Sequence, residues 1–388
     1  MGKAFSSICV VLLYAFLVLG RSAYAKMINF FVFGDSTVDT GTNKYLNFTK
    51  ESGANFFPYG ENAAEFFGKP TGRFSDGKVV TDFIAELANL PLIPPYLKPH
   101  ADLSYGANFA SAGAGILEAT HKGKTLALEV QVNLFVEFQE KLKRKLGSVK
   151  SKEIFSNAVY CISIGITDYK AVFQGNSKLQ LSKPSDDLVR IVIGNLSAQT
   201  QVLYNHGARK FLFMSLKDTG CMPGMRLMTN DGSCFAPATY LTEYHNMALE
   251  QLLMGFASKL VGFQYTLFDQ FKFINARTQT PIKYGFFDGL NACCGCGRFR
   301  GLRTCGRNNP KRYHLCRNAT THVWFDSFHY TQGVQRQAAE TIWQGKDHLI
   351  RPRPLKHFFM DETSQVRHRK QGKAQIASTL GFALSKSI

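Results

Sequence analysis

Short apolar runs rich in Phe, Val, Ile and Tyr, each followed by a stretch of helical spacing, recur from Ile28 to Gln344. Ile28-Asn29-Phe30-Phe31-Val32-Phe33 ends at Gly34, and Tyr105 to Phe109 closes on Ser111-Ala112-Gly113-Ala114-Gly115. Ala158 to Ile164 ends at Gly165; Phe211 to Met214 and Gln264 to Phe268 complete the series. Brief apolar runs of β-forming residues bounded by glycine read as buried strands. Helical patterns fill the intervals: Thr81 to Leu90 (with Thr81 or Asp82 as its cap), Gln131 to Leu146, Asp187 to His206, Ala238 to Leu260 and Gln332 to Gln344. Such alternation requires βαβ crossovers, so the expected fold class is α/β, a parallel sheet covered by helices on both faces.

Nothing in the chain resembles a linker or an internal repeat, and 45% hydrophobic residues suffice for one large core. A single folded body over residues 26–353 is expected. Residues 1–25 read as an export signal: Lys3 supplies the positive start, Ile8 to Gly20 the apolar stretch, and Ala23-Tyr24-Ala25 the small-x-small cleavage site. That apolar stretch is shorter than the roughly 20 residues of a membrane helix, so no transmembrane anchor is expected. Residues 354–388 read as a loose basic tail.

Secretion fits the rest of the composition. Of the nine cysteines, Cys9 falls in the leader and an even number remains, the usual sign of disulfides in an exported chain. Sequons at Asn47, Asn195 and Asn318 are candidate glycosylation sites. The net charge of +18 would in another compartment suggest nucleic acid. Export argues against that, and acidic extracellular polymers are the more natural partners for a basic surface.

In an open parallel sheet, ligands bind beyond the carboxyl ends of the strands. The polar residues standing there are Gly34-Asp35-Ser36, Ser111 to Gly115, Gly165-Ile166-Thr167-Asp168 and, before the final helix, Asp326-Ser327-Phe328-His329. These are the parts of a serine hydrolase. Ser36 needs a base to remove its proton, His329 can act as one, and Asp326, three residues earlier, can fix the imidazole's tautomer. The backbone N–H groups of Ser36 and Gly113 are candidate oxyanion donors.

Other residues compete for these roles less well. Ser111 lies in a glycine-rich turn, but the Gly-x-Ser-x-Gly elbow is broken by Phe109. Asp35 is expected to hold its turn by hydrogen bonds, and His206 and His245 fall within helical segments as structural residues. Cys293, Cys294, Cys296, Cys305 and Cys316 lack the paired C-x₂-C spacing of zinc sites and read as disulfides. Cys221 and Cys234 are placed to close a local loop, and Cys161, within a strand, reads as a buried free thiol. No metal or cofactor is called for.

Phe33-Gly34-Asp35-Ser36, with Asp39, Gly41 and Asn43 behind it, resembles the opening block of the GDSL lipases of the SGNH hydrolase superfamily. The likeness continues through Thr71-Gly72-Arg73-Phe74-Ser75-Asp76-Gly77, Asn108 to Gly115 and Asp326 to His329, in the family's order, and looks like the plant-type secreted branch. It implies a flavodoxin-like α/β/α sandwich and metal-free hydrolysis of lipid or small-molecule esters. Ser36, Asp326 and His329 would form the triad. The oxyanion hole would comprise the Ser36 and Gly113 amides and an Asn side chain in a Gly-x-Asn-Asp block. Here that block has Thr167 in place of Asn, and Tyr330 stands where a Pro commonly follows the His. A shorter, β-branched hydroxyl replaces an amide. Beside ester hydrolysis stand two alternatives: acyl transfer through the same acyl-enzyme, and a binding protein with weakened catalysis.

Overall fold

The computed structural model describes residues 28–46, 53–66, 68–173, 175, 186–302, 305, 313–346 and 348–360. The proposed leader, the sequon at Asn47 and the chain beyond 360 lie outside them. The compact body runs from Asn29 to Phe359.

The element order is β1 (Phe30–Gly34), α1 (Val80–Leu87), β2 (Gly106–Asn108), α2 (Leu128–Leu146), α3 (Ser148–Asn157), β3 (Val159–Ser163), α4 (Ile166–Phe173), α5 (Asp186–Asn205), β4 (Lys210–Met214), α6 (Ala236–Lys259), β5 (Gln264–Phe268) and α7 (Gln270–Gln279). There follow β6 (Asp288–Ala292), β7 (Cys294–Gly295), β8 (His314–Leu315), β9 (His322–Trp324), α8 (Gln332–Gln344), β10 (Ile350–Arg351) and α9 (Lys356–Phe359). The main sheet has the order β10-β5-β4-β3-β1-β2. Strands β1 to β5 pair in parallel, and only β10 runs antiparallel, Ile350 facing Phe268. The 2-1-3-4-5 order is flavodoxin-like, and its switch point lies between β1 and β3.

Every residue of β1 and β3 is buried, as a central strand covered on both faces demands. Phe31 of β1 packs against Phe135 and Phe138 of α2, Phe155 of α3 and Tyr160 of β3, at ring separations of 5.3–6.0 Å. Helix α2 buries Leu128, Gln131, Val132, Phe135 and Phe138, the stripe that a 3.6-residue period puts on one face. Its last turn carries Lys143, Arg144 and Lys145, which complement the negative end of the helix dipole.

Several elements depart from the sequence expectation. Val79, rather than Thr81 or Asp82, is the N-cap of α1; Asp82 sits in the first turn and accepts from the Val79 amide at 2.9 Å. Helices α3, α4 and α7 were not expected: each is short, and α4 begins inside the block read as a post-strand loop. The packed chain also continues past Pro354. Leu355 and Phe358 are buried, and Phe359 meets Phe30 and Trp343 at 5.8 and 5.6 Å, so hydrophobic contacts hold part of what reads as tail.

Disulfides join Cys221 to Cys234, Cys293 to Cys316 and Cys294 to Cys305, while Cys161 and Cys296 are free and Cys161 is buried. Cys293, Cys294 and Cys305 are buried with Tyr59, Phe74 and Phe325 in a small separate core. No helix among the described residues is long and apolar enough to cross a membrane.

Candidate active site

Strand β1 delivers Ser36 to the carboxyl edge of the sheet, at the β1/β3 switch point. Gly34 lets the strand end there: a Cβ on it would lie 2.5 Å from the Ser163 carbonyl and against Val38. The Gln131 side chain brackets the same residue, accepting from the Gly34 N–H at 2.8 Å and donating to its carbonyl at 2.9 Å. Asp35 is buried and accepts from the Thr37 amide at 2.8 Å. Its hydrogen bonds tighten the turn that presents Ser36.

The opposite wall comes from the loop between β9 and α8. Ser36 Oγ lies 2.7 Å from His329 Nε2, and His329 Nδ1 lies 2.7 and 2.8 Å from the two oxygens of Asp326. Asp326 is fully buried. It also accepts from the Tyr59 hydroxyl at 2.6 Å and from the Phe328 and His329 amides at 2.8 and 2.9 Å. Burial opposes its charge, but the imidazole and these donors outweigh burial and bring its carboxyl down to about 2. An ionised Asp326 accepts a hydrogen bond from His329 Nδ1–H and so holds the proton on Nδ1, which leaves Nε2 as an acceptor for the serine hydroxyl. Burial pushes the His329 imidazole below its ordinary value; Asp326 opposes this, while Lys217 and Lys170 reinforce it. Phe74 lies against the imidazole at 4.6 Å.

The disulfide-rich segment holds this loop from behind. The Cys293 and Cys294 amides donate to the Trp324 and Phe325 carbonyls at 2.8 and 2.7 Å, fixing the chain immediately before Asp326. The 71–77 block braces it from the other side. Asp76 accepts from the Gln332 amide at 2.7 Å, at the start of α8.

Arg73 of that block forms a bidentate pair with Asp82, both contacts 2.7 Å, and also donates to the Thr40 carbonyl at 3.1 Å. Both residues are buried. Removing one member leaves the other charge uncompensated, so Arg73→Met is expected to lower unfolding free energy by about 3–5 kcal/mol. Urea denaturation checks this; a loss under 1 kcal/mol would show that the pair does not anchor the block.

The side where the sequence expects oxyanion donors is built from peptides. Gly113 has φ +80°, a left-handed conformation that favours glycine. Asn43 Nδ2 donates to the Ala112 carbonyl at 2.8 Å, and Asp39 accepts from the Ala112 amide at 2.9 Å. Because C=O and N–H of a trans peptide point in opposite directions, clamping the Ala112 carbonyl also aims the Gly113 N–H. Neither the Ser36 nor the Gly113 N–H donates to a described residue. Ser111, the rival hydroxyl, is buried and donates to Asn43 Oδ1 at 2.6 Å, so it serves the clamp.

Thr167 stands in the first turn of α4, buried, and lines the same cavity. Its hydroxyl makes no hydrogen bond with a described residue. Its neighbour Asp168 points away, accepting from the Ile116 and Leu117 amides at 2.8 and 3.1 Å and from the Thr120 hydroxyl. Burial raises Asp168 to about 6 against these donors. The cavity, about 460 Å³, is lined by Ser36, Gly113, Thr167 and His329 together with Phe56, Tyr59, Phe74 and Phe328.

Sequence reasoning missed Tyr59 as a further donor to Asp326, and it missed Lys170 and Lys217 in the cavity wall. Asn43 and Asp39 entered it only as part of a motif. His245 is buried with its Nδ1 2.8 Å from the Tyr169 hydroxyl, and burial drives it down to about 3. His206 pairs with Gln139 at 2.6 Å. Asn195 and Asn318 are both exposed.

Residues 30–342 match the sequence profile of the GDSL-like lipase/acylhydrolase family. The chain belongs to that family. It is 44% identical to GDSL esterase/lipase 5 of Arabidopsis thaliana over 81% of this chain and 82% of that protein. It is 41% identical to the GDSL lipase of Tanacetum cinerariifolium, over 86% of this chain and 88% of that protein. A GDSL relative named as inactive, esterase/lipase-like protein 25 of Arabidopsis thaliana, is 32% identical over 90% of this chain and 79% of that protein.

Proposed function

We propose that this GDSL family member is a serine esterase or lipase that hydrolyses carboxylic esters of lipids or small molecules through an acyl-enzyme on Ser36. The observation that carries the reading is the continuous relay from Ser36 Oγ through His329 to Asp326, opening into a largely apolar cavity. His329 takes the serine proton as Oγ attacks the ester carbonyl, and then returns it to the departing alcohol. A water activated by the same imidazole releases the acid. The Ser36 and Gly113 amides receive the negative charge of the tetrahedral intermediate. Export behind a cleaved leader, a single domain over most of the chain and glycosylation at exposed Asn195 and Asn318 belong to the same proposal, and the disulfides support it.

A fluorophosphonate tests the reading directly. Covalent labelling of the Ser36 peptide, together with release of p-nitrophenol from short-chain esters, is expected. A folded protein that reacts with neither would overturn it.

Thr167 favours a second reading, in which catalysis is attenuated and binding is the main role. An Asn at this position would offer two amide donors on a longer arm, and one missing oxyanion donor is worth about 10²–10³ in kcat. Thr167→Asn is therefore expected to raise kcat by about tenfold or more, measured on a p-nitrophenyl ester. An unchanged or lower kcat would mean that the two backbone amides and the Thr167 hydroxyl already complete the hole. Transfer in place of hydrolysis is read in the same assay as an ester product formed on adding an alcohol.

A further inference from the structure

The cavity that holds Ser36 has a lining unusual for a pocket meant only for neutral esters. Lys124, Lys170 and Lys217 all contribute to it, and among the described residues no carboxylate does. Lys217 is 3% exposed. Its Nζ donates to the Phe328 carbonyl at 2.7 Å and lies 4.6 Å from the Tyr330 ring centre. Lys170, one turn after Thr167 on α4, places its Nζ 4.2 Å over the Phe328 ring. Lys124 stands exposed at the rim. None of the three forms an ion pair with a described carboxylate.

A buried cation such as Lys217 normally sits against an anion, because desolvation of an unpaired ammonium is costly, and half-buried Lys170 bears part of the same cost. Here the nearby acids are committed elsewhere. Asp326 is held by His329, Tyr59 and two amides, and Asp35 by the Thr37 amide; both lie behind the cavity wall. Their charge reaches the lysines only as a weaker influence. Burial, the larger cause, pushes Lys170 below its ordinary value and Lys217 down to about 8 despite them. Each ammonium has three donors, and the one protein acceptor among the described residues is the Phe328 carbonyl.

We propose that the cavity is built for an ester carrying a carboxylate, or an equivalent single anion, which seats between Lys170 and Lys217 while the scissile carbonyl lies at Ser36. This specifies the substrate class of the esterase reading and rests on it. The anion completes the pairing the two ammonium groups lack, and the aromatic wall takes the rest of the molecule. The anion can belong to either half of the ester. Both lysines flank Phe328, next to His329 on the leaving-group side, and Lys170 also shares its helix with Thr167 on the oxyanion side.

The test compares pairs that differ only in charge. On the alcohol side these are 4-acetoxybenzoate and 4-acetoxybenzamide; on the acyl side, mono-p-nitrophenyl adipate and the p-nitrophenyl ester of adipamic acid. The purified protein is expected to favour the anionic member of at least one pair by about 10- to 100-fold in kcat/KM, the range of a charge-assisted hydrogen bond. Added salt should narrow the preference. The ratio within a pair is read in each variant, so a general loss of activity cancels. Lys170→Gln and Lys217→Gln should bring the ratio towards one, and Lys170→Arg should keep it. If Lys217→Gln fails to fold, Lys170→Gln and the salt series carry the test. Calorimetry on Ser36→Ala protein with 4-acetoxybenzoate and 4-acetoxybenzamide reads the same preference as binding. Failure of hydrolysis is thereby separated from failure of the anion site. Equal or weaker handling of the anionic member in both pairs and in calorimetry would overturn the proposal.

Discussion

Ser36→Ala is expected to lower kcat on a p-nitrophenyl ester by about 10⁶, to the level left by binding and the oxyanion donors alone. The substitution removes the only atom that forms the acyl-enzyme. It also leaves His329 Nε2 without the hydroxyl 2.7 Å away. Little else changes: Asp35 still accepts from the Thr37 amide, and Gln131 still brackets Gly34. Thermal unfolding of the variant should therefore match the parent within a degree or two, because a part-exposed hydroxyl is lost without opening a cavity. Turnover above about 1% of the parent would remove Ser36 from the mechanism. Ser111 would not be its substitute, since that hydroxyl is buried and bonded to Asn43.

Asp326→Asn should cost about 10⁴ in kcat, by a different route. A carboxylate accepts from everything that faces it: His329 Nδ1, the Tyr59 hydroxyl and two amides. An amide in its place must turn its NH₂ towards some of these donors. Turned towards the imidazole, it forces the proton to Nε2 and blocks the base. The parent's pH profile supplies a second readout. His329 works as a base when neutral, and burial holds its imidazole below the usual range, so kcat/KM should persist below pH 6.5 and fall only on further acidification. Asp326, at about 2, stays ionised throughout that window. In Asp326→Asn the imidazole loses the partner that supports its charged form, and the acidic limb should move lower still. A limb that moved upward would contradict the assignment of Asp326 as the orienting acid.

The sequence carries the five parallel strands of the main sheet because each lies in a short run rich in apolar, β-forming residues, a signal that needs no tertiary information; the antiparallel edge β10, two residues long, gives no such signal. It also places Ser36, Gly113 and Thr167, since parallel topology gathers the residues after β1, β2 and β3 at one edge. Asp326 and His329 are legible from their spacing alone, because they follow β9, which pairs with β6 outside the main sheet. What it does not carry is decided between distant segments. Tyr59 looks like any aromatic residue until the fold sets its hydroxyl on Asp326, 267 positions away. Lys170 and Lys217 look like two solvated cations among 46 basic residues until the cavity encloses them. The pairing of Cys293 with Cys316 and of Cys294 with Cys305 is likewise a matter of which strands meet, on which spacing is silent. Helix α4 was missed because its eight residues follow a glycine directly and include the block expected as loop.

Ser36 and His329 stand 293 positions apart, and this fixes when the protein can become reactive. At ribosomal rates of about 5–20 residues per second, roughly 15–60 s separate the synthesis of the two. Throughout that interval Ser36 is an ordinary alcohol, because its base does not yet exist. The growing chain can carry Ser36 past other esters and do no chemistry on them. Reactivity arrives with the last βα unit, so a chain that stops short of it is inert rather than uncontrolled.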